Sequence, residues 1–384
     1  MSVSASNRFR VHAMSARQAG LSMIELMVGL TIGLVLTLGL FTLLASSSQA
    51  FKQQDDFARM QDNASAAFRY IGDSLRQAGF LGNLSDPTGM AFVAGSAVGT
   101  VNDCGSGGNP PSANWALTFS TPIFAFPGLT PLTVNAAFPC ILAVNFYSGP
   151  PIANPNPILV VRGASGYRIP DPNADGDLTD GLAAQQNYTT TIYVQSNPYK
   201  GIVFYGADFA ALRGSNATYK LSTGADYDIF EYRAHVYYVR PCSRPAGGAV
   251  NCTGAADDNN RPIPTLVRQE LVGSTMTEVP LAEGIDLVDY RFGVDNNSDG
   301  VPDVFKDTPV AGDWPNVVAV KVTLLVRSPT LSSEYDDSSK QYDLNGDGVI
   351  DYSCTLLPAP ACRYKRKVFS QTFQARNIAQ RKGG

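Results

Sequence analysis

The uncharged run 26–45 constrains this chain more than any other feature, because a helix of about 20 apolar residues spans a bilayer. It belongs to an apolar segment over 19–45, AGLSMIELMVGLTIGLVLTLGLFTLLA, whose one acid is Glu25. A carboxylate inside such a segment costs roughly 2.5–3.5 kcal/mol at the bilayer centre, so a partner or a task is expected for it. Arg8, Arg10 and Arg17 come earlier with no acid among them, which places the amino end in the cytoplasm. An ordinary secretory signal peptide, cut near 48–50, is the plain alternative. Its apolar core would run only about 7–15 residues, and this one is longer with an acid at its mouth.

The helix is expected to continue beyond the apolar run. Phe57, Met60, Ala64, Ala67, Phe68, Ile71, Leu75 and Ala78 recur every three or four residues as one stripe. Lys52, Asp55, Asp56, Arg59, Asp62, Arg69, Asp73 and Arg76 fill the other faces, and Gly79 is a stop signal. The pattern predicts one helix over 21–78, transmembrane over 21–45 and amphipathic over 46–78, whose second half buries against a body. Gly29 and Gly33 share a face of the first half, as in close helix packing, although glycine is common in membrane helices generally.

The remainder, 79–384, reads as a β-rich exported domain: glycine at 35 and proline at 25 favour loops and strands over a helical bundle. Alternating β-branched and aromatic residues predict strands at 115–120, 141–147, 158–162, 190–195, 201–205, 228–240, 265–271, 286–294, 317–327 and 368–374. Together they predict one antiparallel sheet domain with large loop insertions. The net charge is −4, and −7 once the three early arginines are removed. That sign, with no basic stripe beyond the short run 363–367, argues against nucleic acid; the run is expected at a strand edge.

Cys104, Cys140, Cys242, Cys252, Cys354 and Cys362 lie as three local couples without C-x-x-C spacing or clustered histidines, so bridges rather than zinc are expected. The local pairing is Cys104–Cys140, Cys242–Cys252 and Cys354–Cys362, one of about 15 connectivities that six cysteines allow.

Three acidic loops share another pattern: Asp343, Asn345, Asp347, Val349 and Asp351; Asp295, Asn297, Asp299, Val301 and Asp303; and Asp171, Asn173, Asp175, Asp177 and Asp180. Side-chain oxygens at positions 1, 3 and 5, a glycine at 6, a carbonyl at 7 and a closing acid suit calcium. None carries the position-12 glutamate of a full EF-hand, so weak binding is expected, on the order of 10⁻⁴–10⁻³ M. In the third loop the closing acid shifts to Asp180 and a proline intervenes; the alternative for all three is a hydrated Asx/Gly turn joining strands. No organic cofactor and no enzymatic activity are expected. After a leader is lost only His235 remains among the histidines, in a core-patterned strand, and no nucleophile elbow or phosphate loop is present.

Gly20 followed by Leu21-Ser22-Met23-Ile24-Glu25 resembles the cleavage and methylation signature of type IV prepilins, with Leu in place of the family's usual Phe. Translation from Met14 rather than Met1 would leave the short leader typical of one prepilin class. FEYRAHVYYVR (230–240), TLVRQEL (265–271), PLAEGIDLVDYRFGVD (280–295), NVVAVKVTLLVRSP (316–329) and KVFSQTFQARN (367–377) resemble PilW-type minor pilins, whereas 81–196 resembles little in that family.

The resemblance implies an α+β pilin fold, a long N-terminal helix packed on a large antiparallel sheet domain. It implies a leader over 1–20 cut after Gly20 by prepilin peptidase, methylation of Leu21, and Glu25 meeting the first amine of a neighbouring subunit. Other minor and major pilins, the inner membrane and a tip adhesin are the implied partners. The body would lie in the periplasm before assembly and in the filament or its tip afterwards, where such proteins prime or cap the pilus. A type II secretion pseudopilin shares the amino-terminal signature. A secreted calcium-dependent adhesin would instead begin near Phe51.

Overall fold

The computed structural model describes residues 20, 22–92, 104, 115–150, 156–215, 220, 223–273 and 275–383. The expected leader, apart from Gly20, and Leu21 lie outside the described residues. Helix α1 spans Met23–Gln77, two residues inside the expected start, because Ser22 is its cap. The Ile24 amide donates to Ser22 Oγ at 3.4 Å and the Ser22 amide donates to Glu25 Oε2 at 3.0 Å. This is a Ser-x-x-Glu capping box, which satisfies amides at a helix start that otherwise have no intrahelical partner.

Two units divide the chain, one ending at Asp55 and the other beginning at Asp56. In the first, the apolar side chains from Met23 to Phe51 stand exposed. Thr31 and Thr37 turn their hydroxyls onto the carbonyls of Met27 and Gly33, and thereby hide their polarity within the helix. In the second, Met60, Ala64, Ala67, Phe68, Ile71, Leu75 and Ala78 are buried as the spacing predicts. Two residues depart from that pattern. Phe57 remains 38% exposed under Lys367, whereas Asp56 is buried, accepting from Lys365 Nζ at 3.1 Å and Thr330 Oγ1 at 2.8 Å. A specific cation partner thus overrides the polar-face assignment of Asp56.

The helix stops where expected. Gly79 takes φ +70°, and its amide donates to Arg162 O at 2.9 Å while Ala164 N donates to Phe80 O at 2.7 Å.

The body holds two sheets rather than the one expected. Strands β1 (Met90–Phe92), β2 (Ile123–Phe126), β3 (Ile158–Arg168), β4 (Ile192–Ser196), β5 (Gly201–Tyr205), β6 (Ile229–Arg240), β7 (Thr265–Val272) and β8 (Thr275–Glu283) form the larger. Its main path is β1-β5-β4-β6-β3-β2, and β7 continues from β6 to β8. Strands β9 (Ile285–Val294), β10 (Val304–Lys306), β11 (Val317–Arg327) and β12 (Arg366–Gln374) form the other, in order β10-β9-β11-β12. Every pair is antiparallel except β1 with β5.

Strand β6 supplies both faces of the larger sheet. Tyr232, Ala234, Val236 and Tyr238 enter one core beneath residues 116–146, while Tyr237 and Val239 enter the core shared by α1, β9, β11 and β12. Two expected strands are short 3₁₀ turns instead, Trp115–Leu117 and Ala143–Asn145. The second is held by buried Asn145, whose amide donates to Asn251 Oδ1 at 2.9 Å and whose oxygen accepts from Cys252 N. A side-chain clamp there replaces a strand ladder.

Candidate functional site

The predicted assembly residues sit at the exposed tip of α1. Gly20 is exposed, and Glu25 folds back on the amide of Ser22 rather than lying free. The carboxylate therefore has a local donor in the single chain, at the positive end of the helix dipole. Gly29 and Gly33 have nothing within 4 Å of where a Cβ would stand, so both are open to a neighbouring helix. α1 is long and apolar enough over this stretch to cross a membrane.

A buried polar network fixes the other end of α1. Ser74 Oγ lies 2.7 Å from His235 Nδ1 and 2.7 Å from the Tyr237 hydroxyl, and that hydroxyl donates to Tyr70 O at 2.9 Å. Burial, then the nearby Arg268 and Arg233 cations, hold His235 well below its ordinary value, so it is neutral. This agrees with the structural role expected of it.

The three acidic loops adopt one local geometry, with the first Asp accepting backbone amides. Asp343 accepts from Gly346 N at 2.6 Å and Gly348 N at 2.9 Å; Asp295 accepts from Ser298 N at 2.6 Å and Gly300 N at 2.8 Å; Asp171 accepts from Gly176 N at 2.9 Å. The sixth-position glycines Gly348, Gly300 and Gly176 all take positive φ, as the spacing requires. Asp343 is held below the ordinary carboxylate range by the Gly348 and Gly346 amides. For Asp295, burial works upward, and the amides of Gly300, Ser298, Asp299 and Asn297 outweigh it.

Closing acids are also in place. Asp351 accepts from Leu344 N at 2.7 Å, Asp303 from Asn296 N at 2.7 Å, and Asp180 from Asn173 Nδ2 at 2.8 Å. Asn297 donates its amide to both Asp299 and Asp303. Room for a cation there requires that amide to turn its oxygen inward.

All three disulfides join the sequence-local couples, with Cα separations of 4.8 Å for Cys104–Cys140, 5.9 Å for Cys242–Cys252 and 5.1 Å for Cys354–Cys362. Asp257 organises the loop of the second. It accepts from the amides of Ala246, Thr253 and Gly254 and from the Thr253 hydroxyl. Burial would raise its carboxyl, yet these donors hold it down at about 2. With both sulfurs bonded to each other, this Cys-Cys-Asp group is a brace.

Sequence reasoning missed a second buried network. Arg366, expected at a strand edge, has a side chain with no exposure; its Nε donates to Asp286 at 2.7 Å and its Nη1 to Asp337 at 3.2 Å. Strand β12 is indeed an edge, but its first residue points under the covering loop 330–365.

Residues 15–41 match the prokaryotic N-terminal methylation motif, and residues 249–377 match the family described as type IV pilus-assembly protein W. Over these two segments the chain resembles a PilW-type minor pilin with a prepilin signature. A type IV-like pilin from Thermus thermophilus is a structural neighbour at 15% identity and a TM-score of 0.22, over 54% of this chain and 100% of that one. No curated protein sequence matches the chain. The family-matched segment runs from the Cys242–Cys252 loop through β12, thus taking in the whole four-stranded sheet. The two sequence matches support a pilin role, association with other pilins, and membrane anchoring through the apolar helix.

Proposed function

We propose that this pilin takes part in building a type IV pilus, priming or capping the filament together with other minor pilins. Prepilin peptidase would cut after Gly20 and methylate Leu21. The protein would wait in the inner membrane with its body in the periplasm, then pass into the filament or its tip. The observation that carries this reading is the exposed apolar half of α1 with Glu25 at its mouth. On assembly the carboxylate would exchange the Ser22 amide for a neighbour's Leu21 ammonium. Removing one partner of a buried pair strands the other, at roughly 3–5 kcal/mol.

Two variants test this. Glu25→Ala should lower surface piliation while leaving cleavage intact. Glu25→Gln keeps the capping box, which accepts Gln as well as Glu, but loses the charge, and should fail equally. Normal piliation with Glu25→Gln would leave the carboxylate only a local capping role.

For the three acidic loops we propose weak calcium binding. With affinities on the order of 10⁻⁴–10⁻³ M, about 10 mM calcium should stabilise each occupied loop by roughly 1.4–2.7 kcal/mol. Thermal melts with calcium against magnesium read this out, and Asp343→Ala should remove part of any calcium-specific gain.

A further inference from the structure

A cleft of about 770 Å³ runs between the free edge of β2 and the edge of β9 that β10 leaves uncovered. Its two halves differ in chemistry. On one side Phe124 packs 4.6 Å from Trp314 and 4.8 Å from Phe126, and these rings form an aromatic wall. On the other side stand the carboxylates of Asp289, Asp307 and Asp351, with exposed Asp347 at the rim.

The cation nearest these acids is already engaged. Arg291 pairs with Asp307 at 2.6 Å and donates to Asn345 O at 3.2 Å. Asp289 Oδ2 is buried and accepts no hydrogen bond, and a buried carboxylate oxygen in that state calls for a proton or a positive partner. A mainly apolar cleft of this size with a few convergent polar groups has the make-up of a ligand site. It also lies where the family-matched strand β9 meets β2, which comes from the part of the sequence without family likeness.

We propose that this cleft binds an organic cation, an ammonium head against Asp289 on a compact apolar body against Phe124, Phe126 and Trp314. Aromatic faces attract such heads, and a desolvated carboxylate supplies the counter-charge. The ammonium can belong to a free amine or to a lysine side chain of another polypeptide. The proposal goes beyond the pilus role and does not rest on it.

The charges facing Asp289 are Asp307 from the β10–β11 loop, Asp351 from the acidic loop and Arg291 on β9. Burial, then Asp307 and Asp351, push the Asp289 carboxyl up to about 7 against the pull of Arg291.

The test is a titration of the full-length protein in non-ionic detergent with phenethylamine, read by the fluorescence of Trp314 in a Trp115→Phe background, Trp115 being the other of the two tryptophans. Saturable binding that weakens at least about tenfold for the neutral isostere 2-phenylethanol, and as much in Asp289→Asn, is expected. The contrast between amine and alcohol on the unmutated cleft gives the same answer should Asp289→Asn fail to fold. A capped peptide with one lysine among apolar residues separates the sources: tighter binding than the free amine assigns the site to a partner chain, weaker binding to a small amine. Equal binding of the alcohol, an unaffected Asp289→Asn, or no binding by about 10 mM would each overturn the proposal.

Discussion

At the scale of single residues, His235 shows how a strand histidine serves the fold. Its ordinary value is about 6.5, and burial depresses it in the folded chain. Below about pH 6.5 the unfolded chain takes up a proton that the folded one refuses, so stability present above that pH falls as acid is added. His235→Gln, which retains an acceptor for Ser74, should flatten the loss between about pH 6.5 and 5, as judged by the difference in Tm between the two proteins across that window. Asp289 has the opposite sign, since the folded chain keeps a proton there up to about 7. Comparing His235→Gln with the parent at each pH cancels that contribution. The sequence showed His235 as core because its neighbours alternate. It hid Asp56, Asp286 and Arg366, because burial of a charge is decided by partners such as Lys365, distant along the chain.

Among the elements, α1 and most strands were legible, whereas β1, β2, β8 and β10 were not. Helical spacing is unambiguous over many turns, and β5 and β11 are apolar runs rich in β-branched or aromatic residues, buried over nearly their full lengths. Strand β8 escaped because its residues are largely polar and exposed and Pro280 interrupts it. The proline sits at a register shift, pairing with Val267 directly after Ala282 pairs with Leu266, and such an irregularity is a place where a strand tolerates proline. Strand β2, only Ile123–Phe126 between two prolines, is too short for a period to show.

The join between α1 and β3 makes its own prediction. At Gly163 a Cβ would collide with the Gln77 carbonyl and stand 3.1 Å from Gly79 N, both of them backbone atoms. Neither can swing aside as a side chain would, and the two bonds linking 79–80 to 162–164 hold them in place. Gly163→Ala should therefore destabilise the body by about 1–3 kcal/mol, the range for overpacking. Chemical denaturation should show a lower midpoint with the m-value unchanged.

On the scale of the whole molecule, burial separates the two units of the chain. Among the described residues, every buried core side chain lies at Asp56 or later. The apolar residues of the first unit thus make no core and add nothing to folding stability in water, where their exposure favours association instead. The body, by contrast, has its own packed cores and three closed disulfides.

A chain beginning at Lys52, exported to an oxidising compartment, should accordingly fold as a soluble monomer with all three bridges formed. Its Tm should lie within a few degrees of the full-length protein in detergent, since the described residues of the deleted part bury no core side chain. It should nevertheless fail to restore pili in a strain lacking the full chain, because the assembly half has gone. Size-exclusion chromatography, free-thiol counting and surface-pilus quantification check the three parts separately. A truncated body that restores pili would show that assembly depends on the sheet domain alone, against the role given to the apolar helix and Glu25.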